Sequence, residues 1–584
     1  MKAQTQLHIT KRYNHVTEKK AGGVTYTPKN FADFVAKQII EGLDETKLKG
    51  HLRILDPAVG DGELLVSLLE KLVTKSFTKI EVFGFDTNEK AVNLSTARLR
   101  QLFIGISVHI SLGDFLGFAG RYLDASGKGD LFKAPAPEGF DIIIANPPYV
   151  RTQIMGASQA QMLAARFELS GRVDLYHAFI LGMGRALNPG GIAGIIVSNR
   201  FMTTKSGSSV RRAILEQFNV RHVWDMGDTK LFEAAVLPAV LLLEGIDSDK
   251  GSVKENTRFT SIYTTAEPAK IFVTDPIAAL NDRGTVEVVD GRRFLVQHGI
   301  LDNGCQKDGV WRISTEIGDS WLSTVKSNTW GTFGDIGKIR VGVKTTADKV
   351  FIRSDWKSFP ETEKPELLRP LITHHSARRY KNLQLENPWQ IVYPHHVVQG
   401  KRSAVDLAVY PRTAAYFNQH RTALENREYV IEAGRNWYEI WVPQDPDAWT
   451  APKIVFRDIS EKPTFWMDLD GCVVNGDCYW LMCRNASQTD LLWLALAVGN
   501  SRFIEIFYDH SFQNKLYAGR RRFMTQYVEK FPLPDPDSPI SKSIVEASKR
   551  VYAFTPSPEA DDLEKELDRL VCEAFGLTAE EICR

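Results

Sequence analysis

The residue types best suited to chemistry in this chain are Asn146-Pro147-Pro148-Tyr149, which close the apolar run Ile142 to Ala145. An asparagine amide offers a carbonyl acceptor and N–H donors on one short side chain. The two prolines that follow lack an N–H and have a fixed φ, so the chain beyond the run is stiff and cannot join a sheet. A short β-branched run closed in this way reads as a buried central strand. Open α/β sheets bind their ligands outside the carboxyl ends of such strands. The pattern therefore holds an amide and an aromatic ring where a ligand would lie. Taken alone, it is equally a strand stopped by a proline turn with a packed tyrosine.

The preceding residues decide between these readings. Ile54-Leu55-Asp56-Pro57-Ala58-Val59-Gly60-Asp61-Gly62 is a strand ending in an acid, followed by a glycine turn, with Leu64, Leu65, Leu68 and Leu69 as a helix face behind it. Gly60 and Gly62 permit a tight turn and close approach of a ligand to the backbone. The next strand, Glu81 to Phe85, ends in Asp86, roughly 20 residues beyond the loop, where doubly wound folds place a ribose-binding acid. A third strand, Val108 to Leu112, is followed by Gly113-Asp114-Phe115. One acid after one strand is an N-cap or turn residue as readily as a ligand. Three in succession, ahead of the strand that ends in Asn146, point to a cofactor.

The elements that must position these groups alternate as strand and helix. Tyr26-Thr27-Pro28 precedes Phe31, Phe34, Val35 and Ile39 at helical spacing, with Thr27 expected as N-cap and Pro28 as first helical residue. Arg151 to Arg172 reads as a polar loop near the site, and Phe179 to Leu187 as an apolar helix. Asn188-Pro189-Gly190-Gly191 reads as a turn, Ile192 to Val197 as a fifth strand, His222 to Met226 as a sixth and Val236 to Leu243 as a closing hairpin strand. The rhythm is that of a mostly parallel, Rossmann-like α/β sheet with helices on both faces.

Composition narrows the function without choosing it. Across 584 residues, Lys plus Arg is 72 against 71 for Asp plus Glu, so a polyanionic partner would have to meet a local basic surface. No apolar stretch reaches the roughly 18 residues of a membrane span, and the first residues lack an apolar leader. No membrane association and a cytoplasmic location are therefore expected. Six cysteines in so long a chain form neither a disulfide framework nor a zinc pattern, so no metal site is expected.

Together, Asp56-Pro57-Ala58-x-Gly60-x-Gly62, then Asn146-Pro147-Pro148-Tyr149, then a long C-terminal region resemble S-adenosylmethionine-dependent DNA adenine-N6 methyltransferases in the gamma order. Within these the chain is similar to the TaqI-like and Eco57I-like enzymes of restriction-modification systems. The resemblance implies a seven-stranded class I methyltransferase domain followed by an α+β target-recognition domain, with S-adenosyl-L-methionine as cofactor. It implies that Asp56, Ala58, Gly60 and Gly62 hold the methionine end, that Asp86 takes the ribose hydroxyls and that Asp114 takes the adenine amine, with Phe115 against the ring. Thr27 would contact the methionine carboxylate. Asn146 and the Pro147 carbonyl would accept from the target amine, Pro148 would stiffen the loop, and Tyr149 and Phe232 would stack a flipped base. Direct displacement of this kind needs no nucleophilic cysteine, and none lies near these residues.

The expected boundaries are an N-terminal arm at 1–22, a catalytic domain at 23–265, a connecting region at 266–325, a target-recognition domain at 326–540 and a C-terminal helical segment at 541–584. Double-stranded DNA is the expected partner, with a separately encoded restriction endonuclease, and the protein is expected to be a monomer or weak dimer. The basic-aromatic stretches Lys338 to Lys344, Arg378 to Tyr380 and Arg520 to Phe523 suit phosphate contacts. Other readings of the tetrapeptide are RNA or protein-glutamine methylation, cytosine-N4 methylation, an orphan or phage-defence methylase, and a DNA-binding protein with a decayed methylase domain. The length beyond residue 245 disfavours the protein-glutamine enzymes, asparagine at 146 favours adenine over cytosine, and intact motifs disfavour decay.

Overall fold

The computed structural model describes residues 27–44, 50–75, 77, 79–126, 138–149, 157–167, 169, 174–232, 237–247, 256–485, 487–512, 516 and 519–578. The expected arm at 1–22 and the ends of the expected loop after Tyr149 lie outside them. The rest of that loop includes a helix, Ala157–Arg166. The chain divides into two compact units at Glu316/Ile317, with Phe512–Gly519 grouped with the first.

In the first unit, β1 (His51–Asp56), β2 (Lys79–Asp86), β3 (Ser107–Leu112), β4 (Phe140–Ala145) and β5 (Leu187–Ser198) are parallel, in the order β3-β2-β1-β4-β5. β6 (Phe218–Asp225) and β7 (Pro238–Gly245) complete a seven-stranded set in which β7 lies antiparallel between β5 and β6. β4 shows why the sequence is continuously apolar rather than alternating. Ile142 and Ile144 enter the core on one face of the sheet, while Ile143 and Ala145 enter the core on the other. A parallel strand covered on both faces has no polar side.

Helix α1 (Lys29–Gly42) lies on the first of these faces and buries Phe31, Val35 and Ile39. Its closeness to β5 depends on Gly194, because a Cβ there would come within 2.7 Å of Ile39 and 2.9 Å of Val35. Asn188-Pro189-Gly190-Gly191, expected as a turn, falls within β5 as an irregularity in the ladder. β4 residues Phe140 and Ile142 face Leu187 and Ile192, and Gly190 takes φ 73°.

The sheet does not stop where the sequence placed the end of the domain. β8 (Arg258–Thr264) runs parallel to β6, β11 (Arg293–Asp302) lies antiparallel to β8, and β9 (Ile271–Val273), β10 (Gly284–Val288) and β12 (Arg312–Ser314) bring the sheet to twelve strands. The expected connecting region therefore belongs, up to Glu316, to the first unit. These outer strands alternate: Val286, Val288, Phe294 and Val296 are buried while their neighbours are more exposed. Such alternation is a weaker signal than a continuous apolar run.

The second unit is α+β. Its five-stranded sheet runs Ile339–Val341, Cys478–Leu481, Lys453–Arg457, Phe465–Asp468 and Tyr380–Lys381 across, and Trp356, Trp449, Trp466 and Trp480 are buried in the core beside it. Helices Pro539–Phe554 and Pro558–Ala574 close the unit. Among the described residues no single helix is long and apolar enough to cross a membrane, and no group of three His, Cys, Asp or Glu side chains could hold a metal ion.

Candidate active site

Asn146 leaves the carboxyl end of β4, next to the end of β1. Its side chain is held at both ends. The Nδ2 donates to the Thr27 hydroxyl at 3.0 Å, and the Tyr149 hydroxyl donates to Oδ1 at 2.8 Å. Burial pushes the Tyr149 phenol well above its ordinary range, so it stays protonated and remains a donor. Its ring is half-buried and edge-on to Tyr176 at 6.1 Å. A phenol donor fixes which end of the amide is the carbonyl, and an amide oxygen has a second lone pair for another donor.

Thr27 is not the helix cap that its sequence context suggested. Pro28 occupies the N-cap position, the helix begins at Lys29, and no side chain caps it. The Phe31 and Ala32 N–H groups are satisfied by the Pro28 carbonyl. Thr27 is buried, and its oxygen serves Asn146, 119 residues away.

The loop after β1 is shaped around carboxylates. Gly60 and Gly62 lie at φ 53° and 83°, and a Cβ on Gly62 would also meet Ser95 at 3.2 Å. Asp86, at the end of β2, accepts from the Gly60 N–H at 3.0 Å with one oxygen and from the Asn88 N–H at 2.8 Å with the other. It thereby ties the loop to its neighbouring strand. Asp114 is exposed and accepts from the Leu116 N–H at 3.0 Å at the start of the helix Phe115–Ser126.

Asp56 is 0% exposed. Its Oδ1 accepts from the Ala58 N–H at 3.0 Å, while Oδ2 is buried with no hydrogen-bond partner among the described residues. Desolvation, assisted by the charges of Asp86 and Asp61 and opposed by the Ala58 N–H, pushes its carboxyl up to about 7. An orphaned buried carboxylate oxygen is costly unless something cationic or N–H-bearing meets it. The ammonium of a bound amino-acid group has that chemistry, so the donor set fits the methionine end of S-adenosylmethionine, with Asp56 enclosed here until the loop moves to expose Oδ2.

Two expected aromatic contacts stand differently. Phe115 is 1% exposed and enclosed by Phe179 and Phe85, with centroids at 5.6 and 5.9 Å. Phe232 is 5% exposed and edge-on to Phe31 at 5.6 Å. Both are core rings here, so neither offers an open face to a ligand in this conformation.

The segment carrying Phe232 is held by a network that the sequence reading did not single out. Asp225, the last residue of β6, accepts from Asn199 at 2.9 Å and from the Tyr263 hydroxyl at 2.6 Å. Asp228 accepts from the Thr264 N–H at 2.8 Å, and Arg292 donates to the Thr229 carbonyl at 2.6 Å. Burial pushes Asp225 up to about 6. The signal was available, since Asp225 ends a parallel strand on an acid just as Asp56 and Asp86 do.

In the second unit several expected phosphate ligands are engaged internally. Arg521 pairs with Asp509 at 2.8 Å, Arg522 with Asp458 at 3.1 Å, and Arg379 with Glu564 at 2.9 Å. The guanidinium of Arg340 lies over Trp480.

Comparison with known proteins matches this arrangement. Residues 81–232 fit the Eco57I restriction-modification methylase model, and residues 396–533 the TaqI-like C-terminal specificity domain. The chain is 37% identical to the Type II methyltransferase M.BanIII of Aneurinibacillus aneurinilyticus over 576 residues, 96% of this chain and 98% of that protein. The chain belongs to the Eco57I- and TaqI-like family of restriction-modification DNA methyltransferases. This methyltransferase is also 23% identical to the Type II methyltransferase M.BstVI of Geobacillus stearothermophilus, over 88% of this chain and 90% of that one. A nuclease-deletion mutant of the Type ISP restriction-modification enzyme LlaGI, solved with a DNA substrate mimic, has a similar fold. It is 12% identical, with a TM-score of 0.52 over 91% of this chain and 54% of that one.

Proposed function

We propose that this methyltransferase transfers a methyl group from S-adenosyl-L-methionine to the N6 of adenine in double-stranded DNA, as the modification component of a restriction-modification system with a separately encoded endonuclease. The observation that carries this reading is Asn146, fixed between Thr27 and Tyr149 at the end of β4. An exocyclic adenine amine is a poor nucleophile because its lone pair is delocalised into the ring. Acceptors on its two N–H bonds favour a tetrahedral nitrogen whose lone pair is free to attack. Asn146 Oδ1 and the Pro147 carbonyl are the two acceptors, and neither needs to change protonation state.

When bound, S-adenosylmethionine supplies a methyl group on a cationic sulfur. Asp56 holds the methionine ammonium, Ala58, Gly60 and Gly62 shape the loop around it, Asp86 binds the ribose hydroxyls and Asp114 the adenine amine. Such an amine is out of reach inside a duplex, so the base is flipped into the site. Pro148 keeps the loop stiff, and Tyr149 supplies a face for the flipped base. Phe232 would supply the other by turning out of the core position it holds here. The unit from Ile317 onward serves target recognition, in keeping with its match to a specificity domain.

The experiment is methyl transfer to a library of duplex oligonucleotides, with the modified nucleoside identified by mass spectrometry. Incorporation into adenine at one short sequence supports the reading. Incorporation only into RNA or protein refutes it.

A further inference from the structure

Residues His395–Val398 and Lys401–Ala404 form a two-stranded antiparallel sheet that, among the described residues, joins no other sheet. The register pairs Val398 with Lys401, leaving Gln399-Gly400 as a two-residue turn. Both turn residues have positive φ, 51° and 72°, the backbone of a type I′ turn. An isolated hairpin is marginal in water unless something braces it. Here one face is braced: the buried His395 accepts from the Ile440 N–H at 3.0 Å, and Arg402 donates to the Gln444 carbonyl at 3.1 Å.

Directly paired residues point to the same side, so the opposite face carries His396, Val398, Lys401 and Ser403. His396, Val398, Gln399, Gly400 and Lys401 are all exposed, Val398 at 49%. No acid occurs between His395 and Val405.

We infer that this ribbon is a base-reading element that enters the major groove of the target duplex. That groove admits a two-stranded β-ribbon, and its floor offers acceptors on guanine, an acceptor and a donor on adenine, and the methyl of thymine. The tip presents a cation (Lys401) and an apolar group (Val398) on that face and an amide (Gln399) in the turn, one chemistry for each. The positive, acid-free tip suits the approach to phosphates. The inference rests on duplex DNA being the substrate.

The test uses the full chain and the duplex it methylates, together with duplexes altered at one base pair each, with binding read by fluorescence anisotropy and methylation by single turnover. Lys401→Ala removes the cation. Gln399→Asn withdraws the amide by one methylene while giving the turn its preferred Asn-Gly pair, so a folding defect cannot account for its effect. At one or two positions of the site, discrimination against the altered base pair is expected to fall about 5- to 150-fold, with cofactor affinity and melting temperature unchanged. Unaltered discrimination in both variants overturns the inference, as does an equal loss of binding to every duplex, which would make the ribbon a phosphate contact only. Wild-type protein that methylates no duplex refutes the DNA substrate itself, a separate result.

Discussion

Replacing Thr27 with valine keeps the shape of the side chain and removes the oxygen that accepts from Asn146 Nδ2 at 3.0 Å. The amide is half-buried, so water replaces that contact only in part. A hydrogen bond at a half-buried site is worth about 0.5–1.5 kcal/mol net. If it orients Asn146 for the reaction, that loss appears in the barrier as a fall of roughly 2- to 13-fold in the methylation rate. Single-turnover methylation of a duplex at saturating cofactor measures the rate, and titration calorimetry measures cofactor binding separately. The slower variant should bind S-adenosylmethionine nearly as well as wild type, and Thr27→Ser should recover most of the rate. A rate equal to wild type would refute the positioning role. A raised cofactor Kd with a normal rate at saturation would instead favour the methionine-carboxylate contact that the sequence suggested.

Asp56, with its carboxyl at about 7, gives a pH dependence. The folded, unliganded protein keeps a proton that the unfolded chain has lost above 3.8, so the contribution of Asp56 to stability is present at low pH and is lost as pH rises toward 7. Binding an ammonium requires the carboxylate, so cofactor affinity should rise about tenfold per pH unit up to 7 and then level off; an affinity independent of pH from about 5.5 to 8 contradicts this. Phe232→Leu should retain most of the buried packing but lose base stacking worth about 1–3 kcal/mol. Its single-turnover rate should fall and then recover on duplexes carrying a mismatch at the target base, and a full rate on matched DNA would rule the clamp out. In the second unit Lys453 and Asp468 form a fully buried ion pair, with Lys453 also donating to the Trp449 carbonyl at 2.6 Å. Lys453→Met should cost about 3–5 kcal/mol in urea unfolding, because it leaves the Asp468 carboxylate buried without its cation; an unshifted midpoint would show the pair to be unimportant.

Features that were legible in the sequence are those whose cause is local. β4 reads as a strand because both faces are buried, and the cofactor loop because its glycines need positive φ. What was misread depends on partners distant in the chain. Thr27 beside Pro28 looks like a helix cap, yet its partner is Asn146. Arg522 and Arg379 look like free cations until Asp458 and Glu564 are brought to them by the fold. The outer strands β8 to β12 were missed because alternating half-buried strands lack the continuous apolar signature of the central ones. The gap at Asp56 Oδ2 could not be read from sequence at all, since it is a property of packing.

The proposed action of Asn146 on an adenine amine can be tested directly. The most direct measurement is mass spectrometry of nucleosides from duplex DNA incubated with the protein and methyl-labelled S-adenosylmethionine, for wild type and Asn146→Ala side by side. The expected result is labelled N6-methyladenine from wild type and none above background from the variant. N4-methylcytosine as the labelled product, or undiminished N6-methyladenine from Asn146→Ala, would contradict it.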